Sequence, residues 1–234
     1  MPLDAVLGYC AQLLGGAAIT VELAVSGYCL ALTLGTTLAL LRQLDHPVVM
    51  ATWRIYASIF MGVPSVLVMF LFFFGGGAMV GALGQALGLA KGAVDVTPFQ
   101  AGLAALTIVQ GAYSAEVVSG AIRNVPRGQF EAARALAIRP HHAWWYVIAP
   151  QVARLALPGL INVWISVLKD TALVSLAGLN EVVARAKTAA GATKEPFLFF
   201  VLAALFFVVI SSLTLHLSGR LELRLGRGVR RAET

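Results

Sequence analysis

The chain has 234 residues, of which 59% are hydrophobic and only 12% charged, and it carries a net charge of +6. Soluble domains average about a quarter charged residues, so a water-soluble fold is excluded, and apolar runs rich in Leu and Ala without period-2 alternation exclude a membrane β-barrel. A helical membrane protein remains, and because the basic residues sort between the apolar runs by side, nucleic acid is not expected as the partner of the positive charge.

Met1-Pro2-Leu3-Asp4 places no positive residue before the first apolar stretch, unlike a cleavable signal peptide, so the first span, about Ala11 to Leu41, is expected to stay in the mature protein. Cys10 and Cys29 have no metal-binding spacing and are expected to be small packed thiols. The second span is expected over Arg54 to Gly75, interrupted at Gly62-Val63-Pro64. Proline removes a backbone donor there and glycine relaxes the helix. Such a break is a simple kink, or it borders a wet cavity as broken helices do in transporters.

The third span is expected over Thr97 to Ile122, with Glu116 held in a structural ion pair. A polar segment then covers 123–153. Within it, strong helix formers follow Pro126 and Gly128 and stop at Pro140, predicting a short exposed helix. Helical spacing puts Ala133 and Ala137 on one face, flanked by Glu131 and Arg134, a shape suited to close approach by a partner. An ordinary solvated loop fits the same residues.

The fourth span, Leu155 to Leu176, carries Asn162, Ser166, Lys169 and Asp170 at helical spacing and so on one face. A charge near the bilayer centre costs about 2.5–3.5 kcal/mol on insertion scales, so this face is expected to meet an aqueous passage or to hold an internal pair of Lys169 with Asp170 or Glu116. The fifth span is expected over Phe197 to Ser218. Arg42 and Arg54, then Arg123, Arg127, Arg134, Arg139 and Arg154, then Arg220, Arg224, Arg227, Arg230 and Arg231 form the basic group, against only Lys91, Arg185, Lys187 and Lys194 elsewhere. The positive-inside rule then places the N-terminus outside and the C-terminus inside, which requires an odd number of spans. One domain over 1–234 is expected, with no internal repeat.

Several ordered stretches carry a family resemblance: Ala112-Tyr113-Ser114-Ala115-Glu116, Gly128-Gln129-Phe130-Glu131-Ala132-Ala133-Arg134-Ala135-Leu136, Ala149-Pro150-Gln151, Ala156-Leu157-Pro158 and Leu168-Lys169-Asp170-Thr171-Ala172-Leu173-Val174-Ser175. Together with Gly62-Val63-Pro64 they resemble the polar amino acid permeases of ABC importers, whose EAA loop docks on the ATPase. Gly62-Val63-Pro64, Leu173-Val174-Ser175 and Glu195-Pro196-Phe197 are most similar to the histidine, lysine, arginine, ornithine and opine systems. Glutamine, glutamate or another polar amino acid is the alternative substrate. Two positions depart from the family pattern: Ala137 stands where a glycine is usual, and Met61 where an arginine is usual.

The resemblance implies an all-α, type I, MetI-like architecture and a membrane subunit that is not itself an enzyme. It also implies partners: two ATP-binding subunits that use ATP and Mg, a second permease, identical or paralogous, and an external substrate-binding protein. No Gly-Lys dipeptide is present, so no P-loop of the usual form is available in this chain, and no cofactor or metal is expected on it. Gln129, Glu131, Ala132, Ala133, Arg134 and Ala137 are the expected ATPase-coupling residues. Gly62, Val63, Pro64, Asn162, Ser166 and Asp170 are expected to border the substrate passage in the bacterial cytoplasmic membrane. An ion-driven secondary transporter predicts paired repeats that are not visible, and a membrane enzyme predicts a nucleophile and base that His46, His141, His142 and His216 do not supply.

Overall fold

The computed structural model describes residues 3–88 and 95–225, with side chains from 8 to 88 and from 95 to 222. Residues 1–2, Lys91 and the tail residues Arg227, Arg230 and Arg231 lie outside the described residues. Nine α-helices follow one another among the described residues: α1 (Leu3–Leu41), α2 (Pro47–Gly62), α3 (Ser65–Ala86), α4 (Pro98–Arg123), α5 (Arg127–Ala135), α6 (Pro140–Ala143), α7 (Ala149–Asp170), α8 (Val182–Thr193) and α9 (Pro196–Leu225). A 3-10 turn at Arg42–Leu44 follows α1, a π turn at Trp144–Ile148 joins α6 to α7, and a 3-10 run at Thr171–Ala177 prolongs α7. No strand occurs among the described residues.

Five segments are long and apolar enough to cross a bilayer: Gly8–Leu44, Ser65–Ala86, Pro98–Arg123, Pro140–Ala177 and Pro196–Glu222. Their helices start where the local chemistry supplies a cap. Pro opens α4 behind Thr97, whose hydroxyl accepts from Gln100 N while the Gln100 side chain accepts from Thr97 N, satisfying two orphan donors at once.

Helix α4 is the central post. Of its most apolar stretch 61% is buried, against 11% for α9, and it packs on α1, α7 and α3. Small residues make this possible. A Cβ on Gly35 of α1 would lie 2.8 Å from both Gly111 O and Ala115 N and would also strike the Ser114 side chain, while a Cβ on Gly111 would lie 2.9 Å from Leu34 Cδ2. Close backbone approach of this kind, rather than burial of oil from water, is what joins helices inside lipid. One cluster, including Leu23, Val68, Leu106, Val109, Val167 and Val174, binds α1, α3, α4 and α7 together. A second, around Ile122, Val125, Ile148 and Val152, sits under α5, and a third joins α1, α8 and α9 around Leu13, Ala186 and Phe199.

Several expectations are corrected. The second span is α3, from Ser65, and not Arg54 to Gly75; α2 is a separate helix that ends at Gly62, because Val63 and Pro64 are extended (ψ 134° and 133°) and Pro64 offers no donor to continue the ladder. Pro140 opens α6 instead of closing α5, so residues 140–153, expected within a loop, form the start of the long α6–α7 helix. Helix α8 was not foreseen, being too short and too charged to read as a span. It forms because Glu181 caps it, accepting from Ala184 N at 2.9 Å, while Thr20 Oγ1 donates to Glu181 at 3.2 Å, and because Ala186, Ala189 and Ala190 pack inward. Cys29 is exposed and Cys10 half-buried, so neither is a packed core thiol.

Candidate functional site

The polar face of α7 is where the spacing put it. Asn162, Ser166 and Asp170 line one cleft of about 480 Å³ together with Ser65, Gln110, Tyr113 and Gly159. Helix α7 comes close to α4 there because Gly159 has no side chain: a Cβ would meet Val117 Cγ1 at 2.7 Å. Gln110 Nε2 donates to Asp170 Oδ2 at 2.9 Å. Behind Asp170 the wall turns apolar, with Met69, Leu106, Val109, Leu173 and Val174. Asp170 therefore sits at the boundary between a polar cleft and a closed apolar floor. Among the described residues its carboxylate is in no ion pair, since both pairs present belong to Glu116.

Gly62, Val63 and Pro64 are exposed and do not themselves line the cleft. Ser65, the first residue after the break, lines the cleft, and Tyr113 OH donates to the Met61 carbonyl freed at the break, at 3.5 Å. Lys169 is exposed, outside the cleft and unpaired with Asp170 or Glu116. Gln110, Ser65 and Tyr113 were missed. A glutamine inside an otherwise apolar span was the available signal for Gln110, which is 3% exposed.

Glu116 is a structural partner, as expected, but of Arg42 at 2.9 Å and Arg123 at 3.1 Å. Those contacts put the end of α1 and the end of α4 on the same side of the membrane. The next element, α5, is a short exposed helix. Glu131, Ala132, Arg134 and Gln129 are exposed, with Gln129 Oε1 accepting from Gln151 Nε2 at 3.2 Å.

Ala133 faces the other way, 5% exposed, toward a cavity of about 180 Å³ shared with Phe130, Ile138 and Trp144. Ala137 lies beyond the helix end, with φ +52°. The expected common face of Ala133 and Ala137 is therefore absent: the helix stops at Ala135 before the next turn is made. Leu136, 73% exposed, projects from the tip instead.

A family model described as the inner membrane component of binding-protein-dependent transport systems matches residues 27–227. The chain belongs to this family. It is similar to the nopaline transport system permease of Agrobacterium fabrum (35% identical over 223 residues, 95% of this chain and 94% of the relative). It is also similar to the histidine/lysine/arginine/ornithine transport system permease of Salmonella typhimurium (34% over 226 residues, 97% and 98%). A crystal structure of an amino acid ABC transporter with histidines superposes with a TM-score of 0.80 at 25% identity, covering 96% of this chain and 99% of that one. An inward-facing methionine ABC transporter shares the fold, with a TM-score of 0.69 at 16% identity. The permease is thus an all-α inner membrane subunit of a bacterial ABC importer.

Proposed function

We propose that this permease moves cationic amino acids or arginine-derived opines inward, with Asp170 as the contact for the substrate's positive charge. The observation that carries the reading is the unpaired Asp170 carboxylate, held by Gln110 at 2.9 Å on the floor of a polar cleft. A carboxylate without a counter-ion in a poorly hydrated site is costly unless a cation arrives, and an ammonium or guanidinium group meets that need with charge-assisted hydrogen bonds. The names of the similar permeases, for nopaline and for histidine, lysine, arginine and ornithine, support the same class. Asn162, Ser166 and the Gly62-Val63-Pro64 break border the passage.

The whole chain acts as one permease domain with the segment 123–153 as its coupling loop. Gln129, Glu131, Ala132, Ala133, Arg134 and Ala137 transmit the stroke of a separate ATPase, two copies of which bind ATP and Mg. A second permease, identical or paralogous, completes the passage, and an external binding protein delivers the substrate. The basic residues near α5 support a cytosolic α5 and an N-terminus outside, by the positive-inside rule. Hydrolysis draws the two packings of the bundle into alternation, exposing the cleft to one side at a time.

Asp170→Asn keeps the shape and the contact with Gln110 but removes the charge. Uptake of labelled arginine, lysine and histidine by the reconstituted complex is expected to fall on the order of tenfold to a hundredfold, the size of one charged hydrogen bond, with assembly intact. Undiminished uptake of all three would return Asp170 to a packing role.

A further inference from the structure

We infer that Arg42 is a positioning residue for transport: it latches α2, and through α2 the break beside the cleft, to the end of α4 that carries the coupling helix. The inference rests on the reading of α5 as the ATPase-coupling element. Arg42 stands in the turn after α1, its side chain 11% exposed. Its Nη1 donates to Glu116 Oε2 at 2.9 Å and to Ser119 Oγ at 3.0 Å, both on α4. Its guanidinium lies 4.3 Å from the centroid of the Trp53 ring, on α2. One planar cation therefore ties three elements, which its fork of donors and its stacking face allow and an ammonium does not.

The other oxygen of Glu116 accepts from Arg123 Nη2 at 3.1 Å. Arg123 is the last residue of α4, and only Asn124, Val125 and Pro126 separate it from α5. Val125 is 4% exposed and packs with Ile122 and Ile148, so this short connection is anchored. Movement of α5 is thereby passed to the end of α4. One carboxylate needs one cation for neutrality, and Arg123 supplies it; the largely covered Arg42 is in excess of that need.

At its other end the linkage reaches the passage. Trp53 is the single buried residue of α2, so this helix depends on few contacts for its place. Beyond Trp53, Tyr56 OH donates to the Ile108 carbonyl of α4, and the Phe60 ring packs tilted against Tyr56 with centroids 5.1 Å apart. The helix then stops at Gly62, beside Ser65 and the cleft. In this linkage, a shift of α2 relative to α4 re-aims the break beside the cleft.

The test is the ratio of labelled arginine, lysine and histidine taken up to ATP hydrolysed, in vesicles holding the complete complex with its loaded binding protein. A purely structural defect lowers the amount of active complex and leaves the ratio unchanged. Arg42→Gln is expected to keep the ATPase bound and hydrolysis running while the ratio falls on the order of tenfold, the effect of breaking a link in a coupling network. Arg42→Lys, which retains the charge but not the three-way contact, is expected to fall between. An unchanged ratio in Arg42→Gln overturns the latch.

Should that variant not assemble, Trp53→Leu keeps the ion pair and removes the α2 end. The same fall in ratio supports the latch and an unchanged ratio overturns it. Loss of ATPase binding in Glu131→Lys, with binding retained in Arg42→Gln, separates this linkage from the docking role of α5. If Glu131→Lys binds and transports normally, the coupling reading itself fails.

Discussion

At Ala137 the backbone takes the left-handed conformation, φ +52°, while closing α5. Ile138 N donates to Ala133 O and Ala137 N to Arg134 O, both at 3.0 Å, the paired bonds of a Schellman cap. That geometry places Ala137 where glycine is favoured, so the family's usual glycine has a physical reason, and the methyl group here adds strain of about 1 kcal/mol. Ala137→Gly is expected to raise stability by about 0.5–1 kcal/mol, net of glycine's greater chain entropy. The unfolding midpoint of the detergent-purified complex checks it; a lower midpoint would mean the cap carries no strain. The sequence showed the departure from the family at this residue but not its conformation, because φ depends on the hydrogen bonds that close the helix.

Among elements, the α1–α4 contact sets the frame on which the cleft is hung. Gly35 is the tightest point, with backbone atoms of α4 2.8 Å from the place a Cβ would occupy. Backbone cannot rotate away as a side chain can, so Gly35→Ala is expected to cost about 1–3 kcal/mol. The same unfolding assay reads the loss, and an unchanged midpoint would show that the helices have room to separate.

Apolar run length made the spans legible, and Pro64 marked the break between α2 and α3. Where α2 ended and the second span began was not legible, since both flanks of the break are apolar. Helix α8 was hidden for a different reason: part of its support comes from Thr20 and Leu13 of α1, distant in sequence.

For the molecule as a whole, the exposed face of α5 and the exposed apolar flank of α9 describe a subunit made to be covered. Phe74 and Phe197, 78% and 82% exposed, would be ruinous in water and are ordinary against lipid or a neighbouring subunit. Glu131→Lys, on the exposed side of α5, is expected to leave membrane insertion intact while lowering ATPase association and uptake on the order of tenfold, because reversing a docking charge replaces attraction with repulsion. Co-purification of the ATPase with the tagged permease measures it, and normal recovery would remove Glu131 from the contact. Half of the site follows from helical period alone, since Asn162, Ser166 and Asp170 fall on one face of any regular helix. The partners of that face do not, and neither does the turning of Ala133 inward.

The amino-acid sequence by itself determined that the chain is a helical membrane protein with five spans, a break at Gly62-Val63-Pro64, a polar stripe on the fourth span and a short helix after Pro126, though not where that helix ends, because these depend on apolar length, proline and local period. Only the tertiary structure decided that Gln110 holds Asp170, that Lys169 stands outside the cleft, and that Arg42 gathers Glu116, Ser119 and Trp53. The reason is physical: which helices touch is set by where small residues let backbones approach, as at Gly35 and Gly159, and that matching between distant segments is invisible to any local pattern.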